Sequence, residues 1–297
     1  MLEYRATPIT ELNDPVIEAA GIRVFVKRED LNHTAISGNK WWKLKYNLAE
    51  AIETGCESVL TFGGAYSNHI FATAAAARAF GLKSIGFIRG EEIVPYNTTL
   101  AFVKNQGMRL HFVSREEYRK KNDEQFIRQL KDEFGDFYLI PEGGSNANAV
   151  RGVKEFAERI LSENDFDSMI LPVGTGGTLA GLICGLPSSK QILGVSVLRG
   201  GDFLVDDTQN LARSICEDFS KTNWTILTDY DFGGYAKSSP ALEEFISDFF
   251  QKHNIPLEPV YSGKAMWALW NEISTGRFER GTKILFLHTG GLQNKLL

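Results

Sequence analysis

Ser168-Met-Ile-Leu-Pro-Val-Gly-Thr-Gly-Gly-Thr178 decides the fold. An apolar run of strand character enters a glycine-rich turn, and the apolar stretch Thr178–Leu186 that follows has helical character. Three glycines let the backbone approach an anion closely, a helix start offers unpaired N–H groups, and Thr175 and Thr178 supply hydroxyls. No lysine follows the glycines as in a Walker A loop, and the spacing is not that of a dinucleotide turn. The turn therefore reads as a cradle for one phosphate of a small ligand, with a plain tight turn as the alternative.

The same alternation extends in both directions. Strand candidates are Ile22–Lys27, Ser58–Phe62, Ser84–Ile88, Arg109–Val113, Phe137–Ile140, Ser168–Pro172, Gln191–Val197, Trp224–Leu227 and Lys283–His288. Between them, helices are expected over Lys40–Thr54, Asn68–Phe80, Arg115–Phe134, Asn148–Glu163, Thr178–Leu186, Pro240–His253 and Lys264–Thr275. Strands alternating with helices predict an α/β fold of doubly wound, mainly parallel sheets, with ligands at the carboxyl ends of the strands. Most of the paired glycines fall at strand-to-helix turns; Gly200-Gly201 is left without a role.

Composition narrows the function classes. The chain has 297 residues, 43% hydrophobic and 23% charged, so collagen-like, coiled-coil and disordered readings are out. A formal charge of -5 without a block of like charges disfavours nucleic acid. Cys56, Cys184 and Cys216 lack the spacing of a zinc or redox motif and are expected to be reduced thiols in a cytosolic protein. No apolar run approaches the roughly 18 residues of a membrane span, and MLEYRATPITEL lacks the pattern of a signal peptide, so a cytoplasmic location is expected.

Four further stretches hold residues suited to chemistry. Lys40 follows Ser37-Gly-Asn at a helix start, where the helix dipole and aromatic burial beside Trp41-Trp42 lower an amine's pKa; it is a candidate Schiff-base former, against a solvated lysine beside Lys43 and Lys45. In Gly63-Gly-Ala-Tyr-Ser67-Asn68-His69 the serine and asparagine either face a ligand or cap the next helix, and His69 is taken as a neutral bystander. Tyr261, in Glu258-Pro-Val-Tyr-Ser262, and Tyr235, in Phe232-Gly-Gly-Tyr, can stack on an aromatic ligand or sit half-buried. Thr289-Gly-Gly closes the last strand with a hydroxyl.

Taken in order, KREDL, SGNK, GGAYSNH, PEGGSN, VGTGGT, EPVYSGKAM and HTGG resemble the pyridoxal-phosphate enzymes of fold type II, in the branch of D-cysteine desulfhydrase and 1-aminocyclopropane-1-carboxylate (ACC) deaminase. The resemblance covers nearly the whole chain. It implies a tryptophan synthase β-like fold of two three-layer domains, a larger one from residues 1–47 and 153–297 and an inserted one from 48–152. It implies pyridoxal 5'-phosphate on Lys40, Asn68 at the ring hydroxyl, Ser67 near the substrate carboxylate, and Gly174, Thr175, Gly176, Gly177 and Thr178 around the phosphate. It further implies Tyr261 stacked on the ring, Tyr235 as a second active-site tyrosine, Ser262 facing the ring nitrogen and Thr289 at the cofactor, in a homodimer acting on a small amino acid. Ring opening of ACC calls for a carboxylate beside that nitrogen; neutral Ser262 favours β-elimination from D-cysteine to pyruvate, ammonia and sulfide. A non-catalytic phosphate-binding protein is the alternative of another class. Where relatives continue Thr-Arg-Gln after the helix start, this chain has Ile70-Phe71-Ala72, and the chain is somewhat shorter than relatives.

Overall fold

The computed structural model describes residues 4–216 and 219–293. β1 (Ile9–Leu12) pairs antiparallel with β2 (Arg23–Lys27) across α1 (Pro15–Ala20), a helix started by the Asp14 side chain and Pro15 and ended by Gly21 at φ 67. α2 (Asn39–Glu53) then leads into the smaller sheet: β3 (Ser58–Gly64), α3 (Asn68–Ala79), β4 (Lys83–Arg89), α4 (Thr98–Asn105), β5 (Arg109–Val113), α5 (Arg115–Tyr118), α6 (Glu124–Phe134) and β6 (Tyr138–Ile140). α7 (Ala147–Glu163) returns the chain to the larger sheet, through β7 (Ser168–Val173), α8 (Gly177–Gly185), β8 (Gln191–Ser196), α9 (Leu204–Arg213), β9 (Trp224–Leu227), α10 (Pro240–His253), α11 (Ser262–Ser274) and β10 (Lys283–Leu287).

The larger sheet has the order β1-β2-β10-β7-β8-β9, parallel except for β1, and the smaller one the all-parallel order β5-β4-β3-β6. Strand periodicity divides the side chains between layers. Met169, Leu171, Leu285 and Leu287 join Trp42, Phe156 and Leu182 of α2, α7 and α8 on one face, whereas Ile170, Ile284 and Phe286 join Ile246 and Met266 of α10 and α11 on the other. The smaller sheet is likewise covered twice, by Phe126 and Leu130 of α6 and by Ile70, Phe71 and Val103 of α3 and α4. These are the doubly wound three-layer units that the alternation predicts.

Glycines let α7 pack tightly between its neighbours. A methyl group on Gly152 would collide with the Trp42 carbonyl of α2, and one on Gly181 of α8 with the Val153 side chain. On Gly185 it would stand 2.5 Å from the Ala157 methyl.

The structure departs from the sequence reading in several places. The helix expected over Arg115–Phe134 is interrupted by a 3-10 turn at Arg119–Asn122, and Asp123 starts α6 with its side chain on the Phe126 N–H. β1, α1, α4 and α9 were absent from the reading; they are short, and α9 carries no side-chain cap to mark its start. Gly200 now has a place, at φ 64 ahead of α9, and Gly201 packs on Ser196. Cys184 and Cys216 are not separate reduced thiols: α8 and α9 pack through Ala180 and Ala212, which brings the cysteines to a Cα separation of 6.2 Å as a disulfide, and only Cys56 is free among the described residues. A sequence separation of 32 residues hid that pairing.

Gly152→Val should lower unfolding stability by about 3 kcal/mol in urea titrations, and Gly152→Ala by less, because the added carbons push α7 off α2.

Candidate functional site

The site begins with a turn that only glycine can make. Gly38 has φ 70 and ψ -148, and a side chain there would collide with the Thr289 carbonyl at the end of β10. Asn39 N–H donates to that carbonyl at 3.3 Å. From the other side Asn32 grips the turn, its amide bonding both the N–H and the carbonyl of Gly38 at 2.9 and 3.0 Å. Asn32 is itself held by Glu29, a fully buried carboxylate that also accepts from Tyr4 (2.8 Å), Thr7 (2.5 Å) and the Trp42 indole (2.9 Å). Four donors satisfy a charge that would otherwise be costly to bury. The Lys-Arg-Glu-Asp-Leu stretch thus serves to fix the turn before Lys40.

Lys40 opens into a cavity of about 690 Å3 at the carboxyl ends of the strands of both sheets. Desolvation lowers its pKa to about 8, and its amine donates to Asn39 Oδ1 at 3.1 Å while Asn39 Nδ2 donates to Thr178 Oγ1 at 2.8 Å. Ser67, Asn68, Gly174 to Thr178, Tyr235, Tyr261 and Thr289 line the same cavity. Ser262 does not: it is buried behind the wall, where its hydroxyl accepts the Glu258 N–H at 2.9 Å and donates to Glu258 Oε1 at 3.1 Å. Ser67 starts α3 with its hydroxyl on the Ile70 N–H, and Asn68 is held by Gln293 near the C-terminus. Ile70 and Phe71 point into the core, Phe71 stacked on Phe102 with ring centroids 3.8 Å apart.

The glycine turn has the properties of an anion site. Gly176, at φ 74, begins α8, and no side chain caps it. Lys43 Nζ lies 3.0 Å from where a Cβ on Gly177 would stand, and donates to Ser145 Oγ at 2.7 Å; Ser145 is 2.6 Å from Thr175 Oγ1. Thr208 presents a buried hydroxyl without a hydrogen-bond partner, 2.6 Å from the Cβ position of Gly176. Burial, and then the charge of Lys40, push the Lys43 amine well below its usual range. His69, bonded to Thr61 at 2.7 Å, is held neutral by burial and by both lysines. Cationic groups short of anions, an uncapped helix and an orphaned hydroxyl together suit a phosphate.

Lys43, expected from the sequence to be solvated, is buried and lines the cavity. Its spacing was the available signal, since residues three apart on a helix share a face. Asn39 and Ser145 sit within the SGNK and PEGGSN motifs without standing out there, and Thr208 had no such signal.

At the opposite wall, Glu258 organises the tyrosines. Its carboxylate accepts the N–H groups of Val260, Tyr261 and Ser262 at 2.7, 2.8 and 2.6 Å, fixing Tyr261 at the start of α11. Two residues beyond Ser262, Lys264 donates to the carbonyls of Asp231 and Gly234 at 2.7 and 2.8 Å. That bond pair holds a loop in which Phe232, Gly233, Gly234 and Ala236 all have positive φ and which presents Tyr235. The tyrosine rings meet edge to face, 6.0 Å between centroids, and burial raises both hydroxyl pKa values, so both stay protonated. Among the described residues no cluster of side chains suits a metal ion, and no helix is long and apolar enough to cross a membrane.

Residues 1–290 match the family model described as pyridoxal-phosphate dependent enzyme. The chain is 35% identical over 295 residues to a protein of Pyrococcus horikoshii named putative 1-aminocyclopropane-1-carboxylate deaminase, covering 96% of this chain and 89% of that one. It is 32% identical over 311 residues to the bifunctional D-cysteine desulfhydrase/1-aminocyclopropane-1-carboxylate deaminase, mitochondrial, of Arabidopsis thaliana, covering 98% and 77%. A crystal structure described as an ACC deaminase homologue superposes with a TM-score of 0.85 at 32% identity, over 98% of this chain and 91% of that one.

In cofactor-free protein, acetylation of Lys40 should rise with pH to half its maximum near pH 8, because the protonated amine that predominates below that pH is unreactive. Exposed lysines followed in the same peptide maps should need a pH near the usual value of about 10.4.

Proposed function

Because the chain belongs to the pyridoxal-phosphate-dependent enzyme family, we propose that it is a lyase that removes a β-substituent from a small amino acid, with D-cysteine as substrate and pyruvate, ammonia and sulfide as products. One molecule of cysteine and one of water balance these three products. The observation that carries the choice is the state of Glu258: its carboxylate is taken by three backbone N–H groups and by Ser262. The Tyr261 side of the cavity therefore presents no free carboxylate, which ring opening of ACC would call for. The relatives' names carry both activities, D-cysteine desulfhydrase and ACC deaminase, and ACC deamination to 2-oxobutanoate is the competing outcome.

The residues present fit the cofactor. Lys43, the uncapped start of α8 and the hydroxyls of Thr175 and Thr178 suit its phosphate, Lys40 its aldehyde, Asn68 its ring hydroxyl and Tyr261 its ring face. Thr289 is assigned to the cofactor's rim on the family resemblance, whereas Ser262, which the resemblance implies at the ring nitrogen, is buried with its hydroxyl on Glu258. Pyridoxal phosphate, when bound, supplies an electron sink for the charge that develops at Cα. Lys40, with an amine that is largely neutral slightly above pH 8, removes the Cα proton. Ser67 and the N-terminus of α3 receive the substrate carboxylate. Tyr261 and Tyr235, kept protonated, donate a hydrogen bond to the departing sulfur as the Cβ–S bond breaks and its electron pair leaves with sulfur.

The division into residues 1–47 with 153–297 and an insert of 48–152 belongs to the same proposal, supported by the two sheets, with β3 to β6 all falling inside the insert. The family resemblance also supports a homodimer, which sedimentation velocity tests.

Purified protein should show a visible absorbance band that borohydride bleaches, with the cofactor found by mass spectrometry on Lys40 and absent from Lys40→Ala. Pyruvate from D-cysteine should exceed 2-oxobutanoate from ACC; the reverse ratio defeats the elimination reading. Lys43→Met should weaken cofactor affinity by about tenfold or more, the loss of one charge-assisted contact to phosphate.

A further inference from the structure

Arg89 closes β4, in register with Gly64 of β3 on one side and Val113 of β5 on the other. It lines the same cavity as Lys40. Its Nη2 lies 3.9 Å from where a Cβ on Gly64 would stand, beside the turn that presents Ser67 and Asn68. The Tyr118 ring supports the guanidinium, 5.6 Å from ring centroid to Cζ. Among the described residues Arg89 has no ion pair. Glu142, the acid on the same wall, is occupied by the Tyr118 hydroxyl at 2.8 Å and by Lys121 at 3.5 Å. Glu92, in the loop that follows β4, is bonded by Tyr96.

The cavity thus holds two places for anions besides the substrate's α-carboxylate. The cradle at α8, with Lys43, is one. The α-carboxylate is served by Ser67 and the start of α3, which leaves the planar fork of Arg89 beside it without an acid to bind. The apolar Ile70-Phe71-Ala72 stretch supplies no further polar group from α3, and Lys121 of the same wall is paired with Glu142, so among the described residues Arg89 is the unpaired cation that this wall presents to a ligand.

We propose that Arg89 binds a second anionic group carried on the substrate side chain, so that, besides D-cysteine, the site takes amino acids with a carboxylate or similarly charged group beyond Cβ and prefers them to their uncharged amides. This rests on the reading of the cavity as an amino-acid site and adds the class of side chain it selects. Arg89 acts by recognition and takes no part in bond breaking.

Aspartate and asparagine are nearly isosteric and differ in side-chain charge and in one acceptor oxygen replaced by an NH2 group, so they report on the contact. Isothermal titration of the cofactor-loaded enzyme with both enantiomers of each should show the better aspartate enantiomer binding at least about tenfold tighter than the matching asparagine, the effect of one hydrogen-bonded ion pair. Arg89→Ala should reduce that preference to near unity, costing aspartate far more affinity than asparagine and leaving the cofactor absorbance unchanged, and Arg89→Lys should keep part of it. Equal affinities in the unaltered enzyme, no binding of either amino acid, or an equal loss of both in Arg89→Ala would each overturn the assignment. The pyruvate assay is separate: pyruvate from D-cysteine without an aspartate preference sinks only the Arg89 proposal, and the preference without pyruvate sinks only the elimination reading.

Discussion

The carbonyl of Thr289 occupies the space that any side chain at residue 38 would need, and the site depends on that contact. It joins the loop before α2 to the end of β10, a strand inserted between β2 and β7 in the middle of the larger sheet. Segments from opposite ends of the chain therefore fix the position of Lys40. Glu29 reinforces the closure from beneath, gathering donors from Tyr4, Thr7, Asn32 and Trp42. Since an unpaired buried carboxylate is strongly unfavourable, these partners form together or not at all.

The interior charges are arranged unequally. Buried acids have their donors: Glu29 has four side chains, and Glu258 has three backbone N–H groups and a serine. The buried amines facing the cavity have neutral partners instead, Lys40 an amide oxygen and Lys43 a serine hydroxyl. Desolvation without a counter-charge is what depresses their pKa values, and it leaves the cavity electropositive. A ligand with phosphate and carboxylate groups restores the balance. Binding and activation of the Lys40 amine thus have one physical origin.

Much of this was legible in the sequence. Strand periods stood out because parallel strands buried on both faces are continuous apolar runs, and Gly174 to Thr178 stood out because a strand, a turn and a helix start coincide there. Lys40, Ser67, Asn68, Tyr235, Tyr261 and Thr289 do converge on one cavity. What escaped was set by tertiary contact. Lys43 looked solvated until α7 and the Ser145 turn covered it, and Ser262 looked like a cavity residue until Glu258 claimed its hydroxyl. Cys184 and Cys216 meet only because α8 and α9 pack. Lys264, which shapes the Tyr235 loop through two carbonyls, gives no local pattern at all.

The chain passes between its two sheets twice, by way of α2 and of α7, and those helices lie in contact through Gly152. The smaller sheet is consequently a long detour whose entrance and exit are neighbours. Ser67, Asn68 and Arg89 ride on that detour, whereas Lys40 and the phosphate cradle belong to the frame it leaves and rejoins. Side chains carried on that detour can be exchanged, lengthened or trimmed without rerouting a strand of the frame that holds Lys40.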